Sequence, residues 1–311
     1  MASTPAASPS LAILIPCLDE EDGIGAVVEE YRDAFPEARV LVVDNGSTDR
    51  TAERARAAGA ELVAEPRRGK GRAIATAFSL LEEDVVVMAD GDGSYPAEGA
   101  SRLIEAWRTD PADMVTGVRV SEGGSEVFRT FHRLGGAAFA AVFWLVFRYA
   151  PRDLFSGLRL FTRRFYKNVP LLVRGFELET ELTVQAVEKG FRLTEVDVPF
   201  RARSSGSSSK LRTVRDGFRI LRLLVVLFRD YRPLAFFGAI ALAFFVAGLA
   251  AGSLPVYEYY RTRLVGRFPL AILAAGLMNL SLFTLLTGVT LQSALRHRRE
   301  AYQVELRRFR G

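Results

Sequence analysis

Two long uncharged stretches near the C-terminus limit what this chain can become. Leu234 to Leu254 reads LAFFGAIALAFFVAGLAAGSL, 21 positions without a charge, and Leu270 to Leu291 reads LAILAAGLMNLSLFTLLTGVTL, 22 more. A helix needs about 20 apolar residues to cross a hydrocarbon core about 30 Å thick, and helices of soluble domains rarely stay uncharged for that length. The pair predicts two membrane-crossing helices joined by a short loop, in an integral membrane protein. Arg219, Arg222, Arg229 and Arg232 precede the first stretch, and Arg296, Arg298, Arg299, Arg307, Arg308 and Arg310 follow the second. Basic residues concentrate on the cytoplasmic side, so both ends of the hairpin, with the domain before it, are expected in the cytoplasm. Arg261, Arg263 and Arg267 in the loop reduce that asymmetry without reversing it.

Before residue 200 the pattern is different. Short apolar runs at Leu11–Cys17, Arg39–Asp44, Glu61–Glu65, Asp84–Asp90 and Ala112–Arg119 read as strands, with helical segments near Ile24–Phe35, Asp49–Ala58, Lys70–Leu81 and Ala97–Arg108 between them. Continuous apolar strands alternating with ten-residue helices predict an α/β domain, a mostly parallel sheet covered on both faces. Ligands gather at the carboxyl ends of such strands. Polar residues fall there: Pro16–Glu20, Asp44–Asp49, Asp90–Ser94 and Gly117–Arg119.

The expected order is a disordered tail over 1–10, the α/β domain over 11–200 and a basic loop with an amphipathic helix over 201–232. Two spanning helices over 233–292 and a basic cytoplasmic tail over 293–311 complete it. The opening MASTPAASPS has no basic region before an apolar core and does not read as a signal peptide. Cys17 is the only cysteine, and the two histidines, His132 and His297, stand far apart. Neither a disulfide framework nor a thiolate or histidine metal cluster is expected. A net charge of +5 is too small to imply nucleic acid, but from Arg201 to Arg232 nine basic residues face two acids, Asp216 and Asp230. In that segment Arg212, Arg215, Arg219 and Arg222 form one stripe beside another of Leu211, Val214, Phe218 and Leu221. A helix lying on an anionic membrane surface has this pattern, and so has a solvated charged face. RSSGSSSK, Arg203 to Lys210, reads equally as a flexible linker or as a loop that brings Arg and Lys to a phosphate. AAFAAVFWLVF, Ala137 to Phe147, is too short to span and suits a core or interfacial helix.

Four motifs carry the candidate chemistry. In MADGDGSYP, Asp90 and Asp92 stand one residue apart after a buried strand, and carboxylates that close repel unless something positive lies between them. A divalent metal carrying a diphosphate would supply it. VVDNGSTD reads as a strand end, a turn and a helix capped by Ser47 or Thr48, which leaves Asp44 able to accept hydrogen bonds from a base or a ribose. GKGRA, with Lys70 and Arg72 at the start of a helix, is a candidate anion cradle, although it is neither a P-loop nor a dinucleotide fingerprint.

IPCLDEE, VVDNGSTD, GKGRAIATAF and MADGDGSYP, in that order and at these distances, resemble the family 2 glycosyltransferases with a GT-A fold. DLFSGLRLFTRRF, GFELETEL and VPFRARSSGSSSKLRTVRDG, followed by a two-span hairpin, are similar to the polyprenyl-phosphate sugar synthases related to dolichyl-phosphate mannose synthase. The resemblance implies that Asp90 and Asp92 hold Mg²⁺ or Mn²⁺ against the diphosphate of a UDP- or GDP-linked sugar. Where dolichyl-type members carry Gln this chain has Ser94, a third candidate metal ligand. Pro16, Asp19, Glu20, Asp44 and Asn45 match positions around the nucleotide, Asn45 replacing the second acid of the usual DDGS, and Lys70 is placed with them. Arg203 and Lys210 match a loop that closes over the diphosphate. Arg119 and Arg133 match residues that grip a lipid phosphate, as arginine's planar fork allows; a strand-end surface charge and a snorkelling helix residue are the ordinary alternatives. Asp153, Glu177 and Glu179 are acids in matched motifs, and Asp153 is expected to orient other groups unless it only caps a helix or forms a structural pair.

The implied reaction moves a hexose from a nucleotide-sugar to a polyprenyl phosphate, inverting the anomeric centre. A phosphate monoester is mostly dianionic at neutral pH, so no histidine base is needed. A processive polysaccharide synthase carries a Gln-x-x-Arg-Trp element, in which neither Trp107 nor Trp144 sits. A non-catalytic membrane scaffold would have no use for Asp90, Asp92 and the basic loop. Membrane lipids are expected partners, and a homo-oligomer formed through the hairpin is compatible with the pattern.

Overall fold

The structure, a computed structural model, describes residues 9–121, 143–171, 178–201, 222 and 225–308. Arg133, Glu177, Arg203 and Lys210 lie outside the described residues, as do His132, most of the expected tail and almost all of the expected amphipathic helix. The chain divides into two compact units: residues 1–140 with 149–210, and residues 141–148 with 211–311.

The first unit is built on seven strands in the order β3-β2-β1-β4-β6-β5-β7. These are β1 (Leu11–Cys17), β2 (Arg39–Asp44), β3 (Glu61–Ala64), β4 (Val85–Met88), β5 (Met114–Ser121), β6 (Arg159–Thr162) and β7 (Leu193–Phe200). The helices between them are α1 (Ile24–Ala34), α2 (Thr51–Ala57), α3 (Lys70–Leu80), α4 (Ala97–Thr109), the single turn α5 (Arg163–Tyr166) and α6 (Leu178–Glu188). β1 to β4 are mutually parallel. β1, β2 and β4 are buried along almost their whole length because helices cover both faces, which is why their sequences are apolar runs without alternation. β3, at the sheet edge, is the exception and stays partly exposed.

The expected parallel sheet is interrupted once. β6 runs antiparallel between β4 and β5, pairing Met88 with Arg159 and Thr116 with Arg159, while β5 and β7 are parallel. The reversal matters for the site. A parallel strand delivers its C-terminal end to the polar edge of the sheet, whereas β6 delivers its N-terminal end there, together with the loop before it. Cys17, Asp44, Met88 and Arg159 therefore meet at one edge.

The expected cap of α2 needs correction. The helix starts at Thr51 with no side-chain cap at Arg50. The Ser47 hydroxyl instead accepts the Asp19 N–H at 3.0 Å, and the Asp49 carboxylate accepts the Thr51 N–H at 3.0 Å. Asp19, in the left-handed region at φ 53°, also accepts the Thr48 hydroxyl at 3.2 Å, so the β1–α1 loop takes both hydroxyls.

In the second unit α7 (Pro233–Thr262) and α8 (Phe268–Arg308) are long helices. Residues 233–262 and 268–298 are long and apolar enough to cross a membrane: each contains an 18-residue stretch, of mean hydropathy 2.4 and 2.0, only 11 % and 6 % of which is buried. Core helices of a soluble domain would be mostly covered. Small residues set their contact: a Cβ at Gly248 would lie 3.3 Å from Leu277 Cβ, and one at Gly288 would lie 3.0 Å from Phe237 Cβ. Close backbone approach of this kind drives helix association where no hydrophobic effect operates. Across the same contact the Ser281 hydroxyl donates to Ala241 O at 2.8 Å.

Candidate active site

The polar edge of the sheet gathers most of the expected site residues that the structure describes. Asp90 follows β4 by two residues. Its Oδ1 accepts from Lys70 Nζ at 2.5 Å, and the same ammonium reaches Glu179 Oε1 at 2.6 Å. Lys70 starts α3 after Gly69, whose φ of 134° suits glycine alone. Burial alone would pull the Lys70 pKa down, but the charges of Asp90 and Glu179 outweigh it and hold the ammonium well above the ordinary lysine range.

The other oxygen of Asp90 rests on Gly157, where a Cβ would stand 2.1 Å from Oδ2. Gly157 is itself held, its N–H donating to the buried Tyr95 hydroxyl at 2.9 Å. Asp92 is almost fully buried, and its Oδ1 accepts the Ser94 N–H at 3.0 Å. Ser94 is buried too, its carbonyl accepting from Arg201 N at 3.0 Å. Among the described residues no group of three or more His, Cys, Asp and Glu side chains is arranged to hold a metal ion. A cation here would rest on two carboxylates, hard oxygen donors of the kind Mg²⁺ and Mn²⁺ take alongside phosphate and water. Gly157 lets the Asp90 carboxylate pack against the backbone, where any side chain would displace it.

Around β1 and β2 the polar residues hold one another. Asp19 Oδ1 accepts Thr48 N–H at 2.7 Å, Glu20 N–H donates to Thr51 Oγ1 at 2.8 Å, and Asp44 Oδ1 accepts Ser47 N–H at 3.1 Å. Pro16 occupies the end of β1, where β2 is still paired and β4 no longer is, so its missing N–H leaves no gap in the ladder. Asn45 is buried and fully engaged. Its amide donates to Glu65 O and Arg67 O at 3.0 and 2.9 Å, and its carbonyl accepts Gly69 N–H at 2.6 Å. In this structure Asn45 ties down the loop that presents Lys70.

At the end of β5, Arg119 grips Asp153 through both fork nitrogens, Nε to Oδ2 at 2.7 Å and Nη2 to Oδ1 at 2.8 Å, and its guanidinium lies 5.4 Å over the Phe200 ring. Burial pulls its pKa down, but Asp153 outweighs that and raises it, with a smaller contribution from Asp90. Two participants escaped the sequence reading. Glu179 stands in the sequence only as one acid of a motif, and Arg159 belongs to none of the candidate site positions. An arginine inside the apolar stretch LRLF was the available signal.

The family model for glycosyl transferase family 2 matches residues 12–169. This chain belongs to that family. The glycosyltransferase AglJ of Haloferax volcanii is 33 % identical over 252 residues, covering 80 % of this chain and 82 % of that relative. A dolichyl-phosphate hexose transferase of the same organism is 30 % identical over 195 residues, covering 62 % of this family 2 chain and 84 % of the relative. Glucosyl-3-phosphoglycerate synthase from Mycobacterium tuberculosis, solved in complex with Mn²⁺, UDP and glucosyl-3-phosphoglycerate, superposes with a TM-score of 0.57 at 22 % identity, covering 72 % of this chain and 80 % of that one. The same synthase with Mg²⁺ and UDP gives 0.56. That likeness is one of fold, and with it the seven-stranded glycosyltransferase sheet is a GT-A sheet.

Proposed function

We propose that this chain moves a hexose from a UDP- or GDP-linked donor to a polyprenyl phosphate, with inversion, at the cytoplasmic leaflet. The carrying observation is the coincidence of a dolichyl-phosphate hexose transferase among its relatives with two exposed apolar helices on the same chain. A soluble acceptor would need no such hairpin.

Asp90 and Asp92 would hold Mg²⁺ or Mn²⁺, and the neighbours solved with Mn²⁺ or Mg²⁺ and UDP support that choice. When bound, such an ion neutralises charge on the leaving nucleoside diphosphate. Lys70 adds a second positive charge beside the same carboxylate. Pro16, Asp19, Glu20, Asp44 and Asn45 border the nucleotide, Ser94 is a third candidate metal ligand beside Asp92, and Arg203 and Lys210 close over the diphosphate. Arg119, oriented by Asp153, offers its remaining fork edge to the acceptor phosphate, joined there by Arg133. A phosphate oxygen attacks the anomeric carbon, and the bond to the diphosphate breaks with its electron pair leaving on the nucleotide. Positioning and charge neutralisation supply the catalysis. The domains divide at about residues 200, 232 and 292.

Purified full-length chain, incubated with radiolabelled UDP- and GDP-sugars, undecaprenyl phosphate and Mn²⁺, should form a lipid-linked sugar with one donor class. No product with any donor, in detergent or in liposomes, would defeat the proposal. Asp92→Asn should remove turnover while leaving the melting curve near that of the wild type.

A further inference from the structure

We propose that Arg159 is a positioning residue for Asp90, fixing the two supports, Gly157 and Lys70, against which that carboxylate is held. The inference rests on the reading of Asp90 as a donor-side carboxylate.

Arg159 is wholly buried and heads the largest fully buried side chains. Its guanidinium donates to Leu154 O at 2.7 Å, Ser156 O at 3.0 Å and Thr183 Oγ1 at 2.8 Å, with Met114 Sδ at 3.6 Å. None of these partners is a carboxylate. A cation taken out of water without a contacting anion is expensive, and a well-packed apolar residue would fill a strand position at lower cost. Burial accordingly lowers its pKa, against the more distant charges of Glu179 and Asp153.

What the side chain joins explains its presence. Leu154 O and Ser156 O belong to the loop that ends in Gly157, on which Asp90 Oδ2 rests. Thr183 lies on α6 and in turn donates to Glu179 O at 3.0 Å. Glu179 holds Lys70, and Lys70 holds Asp90 Oδ1. Each oxygen of Asp90 thus ends a chain of contacts that starts at Arg159. One runs through the β6 approach loop and the other through α6 and α3. A guanidinium can do this because its planar fork donates in several fixed directions at once. Lysine has no such fork.

Full-length wild type, Arg159→Lys and Thr183→Val, each reconstituted in nanodiscs, would be titrated with Mn²⁺ by electron paramagnetic resonance and assayed for kcat, acceptor KM and melting temperature. Outer-sphere partners of a metal site change affinity or activity by about 10–100-fold. Both variants should need about tenfold more Mn²⁺ for half occupancy and lose about tenfold in kcat, with acceptor KM unchanged. Thr183→Val, which leaves the arginine in place, should melt close to wild type and keeps the test open if Arg159→Lys fails to fold. Wild-type Mn²⁺ affinity and kcat in Thr183→Val would overturn the proposal, whatever happens to its melting temperature. A wild-type chain that bound no Mn²⁺ would remove the donor-site reading and this proposal together.

Discussion

Lys70 stands 2.5 Å from Asp90 across 20 residues of sequence, and its ammonium also bridges to Glu179 across 109. One cation thereby separates two acids that would otherwise repel at the polar edge of the sheet.

Removing that cation should cost more than a surface charge would. Lys70→Met leaves Asp90 and the buried Glu179 facing each other, and breaking a buried pair costs about 3–5 kcal/mol. The variant should melt lower by an amount that calorimetry resolves. Because the folded pKa of Lys70 is raised above its ordinary 10.5, its contribution is fully present below about pH 10.5 and is lost only at higher pH. Lys70 itself therefore contributes equally at pH 6 and pH 9, and the deficit of the variant should not shrink between pH 6 and pH 9.

Gly157→Ala adds a single methyl, yet its Cβ would stand 2.1 Å from Asp90 Oδ2. The carboxylate must swing away. Overpacking of this kind costs about 1–3 kcal/mol, while turnover should fall far more than stability does. Steady-state rates measured beside urea unfolding would separate the two effects.

Arg119→Lys keeps the charge and loses the fork that Asp153 holds. If Arg119 binds the acceptor phosphate, KM for the lipid should rise about tenfold, with the donor KM little changed. Asp153→Asn should move the same constant in the same direction, because it frees the guanidinium from its orientation. A change confined to the donor KM would place Arg119 elsewhere in the reaction.

Lys189 gives a pH signature. Burial holds its pKa down at about 8, against its ordinary 10.5 and the opposing pull of Glu181. Between those values the unfolded chain binds a proton that the folded chain has released, so stability rises with pH across the window and the folded state is penalised below it. Lys189→Met should melt higher than wild type at pH 7, with the gap closing towards pH 10.5.

Much of the sheet was legible because a strand covered on both faces must be apolar throughout. β1, β2 and β4 announce themselves in LAILIPC, RVLVVD and VVVM. Asp90 and Asp92 were equally visible as acids following such a run. β6 and β7 were not read. RLFT is only four residues long and opens on an arginine, and β7, LTEVDVPF, is half-buried over most of its length and carries acids among its apolar residues. The pairs that shape the site were illegible for a different reason. Lys70 with Glu179 joins α3 to α6, Arg119 with Asp153 joins β5 to the loop before β6, and Arg159 with Thr183 joins β6 to α6. No local spacing records a contact between distant segments. The Ser47 and Thr48 hydroxyls had a plausible local role as caps, and a facing loop took them instead.

Cys17, the single thiol of the chain, is buried at the end of β1, and burial followed by Asp44 raises its pKa far above the ordinary thiol range. Thiolate, not thiol, reacts with maleimides. The native polypeptide is therefore nearly silent towards sulfhydryl reagents, and a cysteine introduced between α7 and α8 would be its one reporter, revealing by impermeant labelling of intact cells which face of the bilayer that turn occupies.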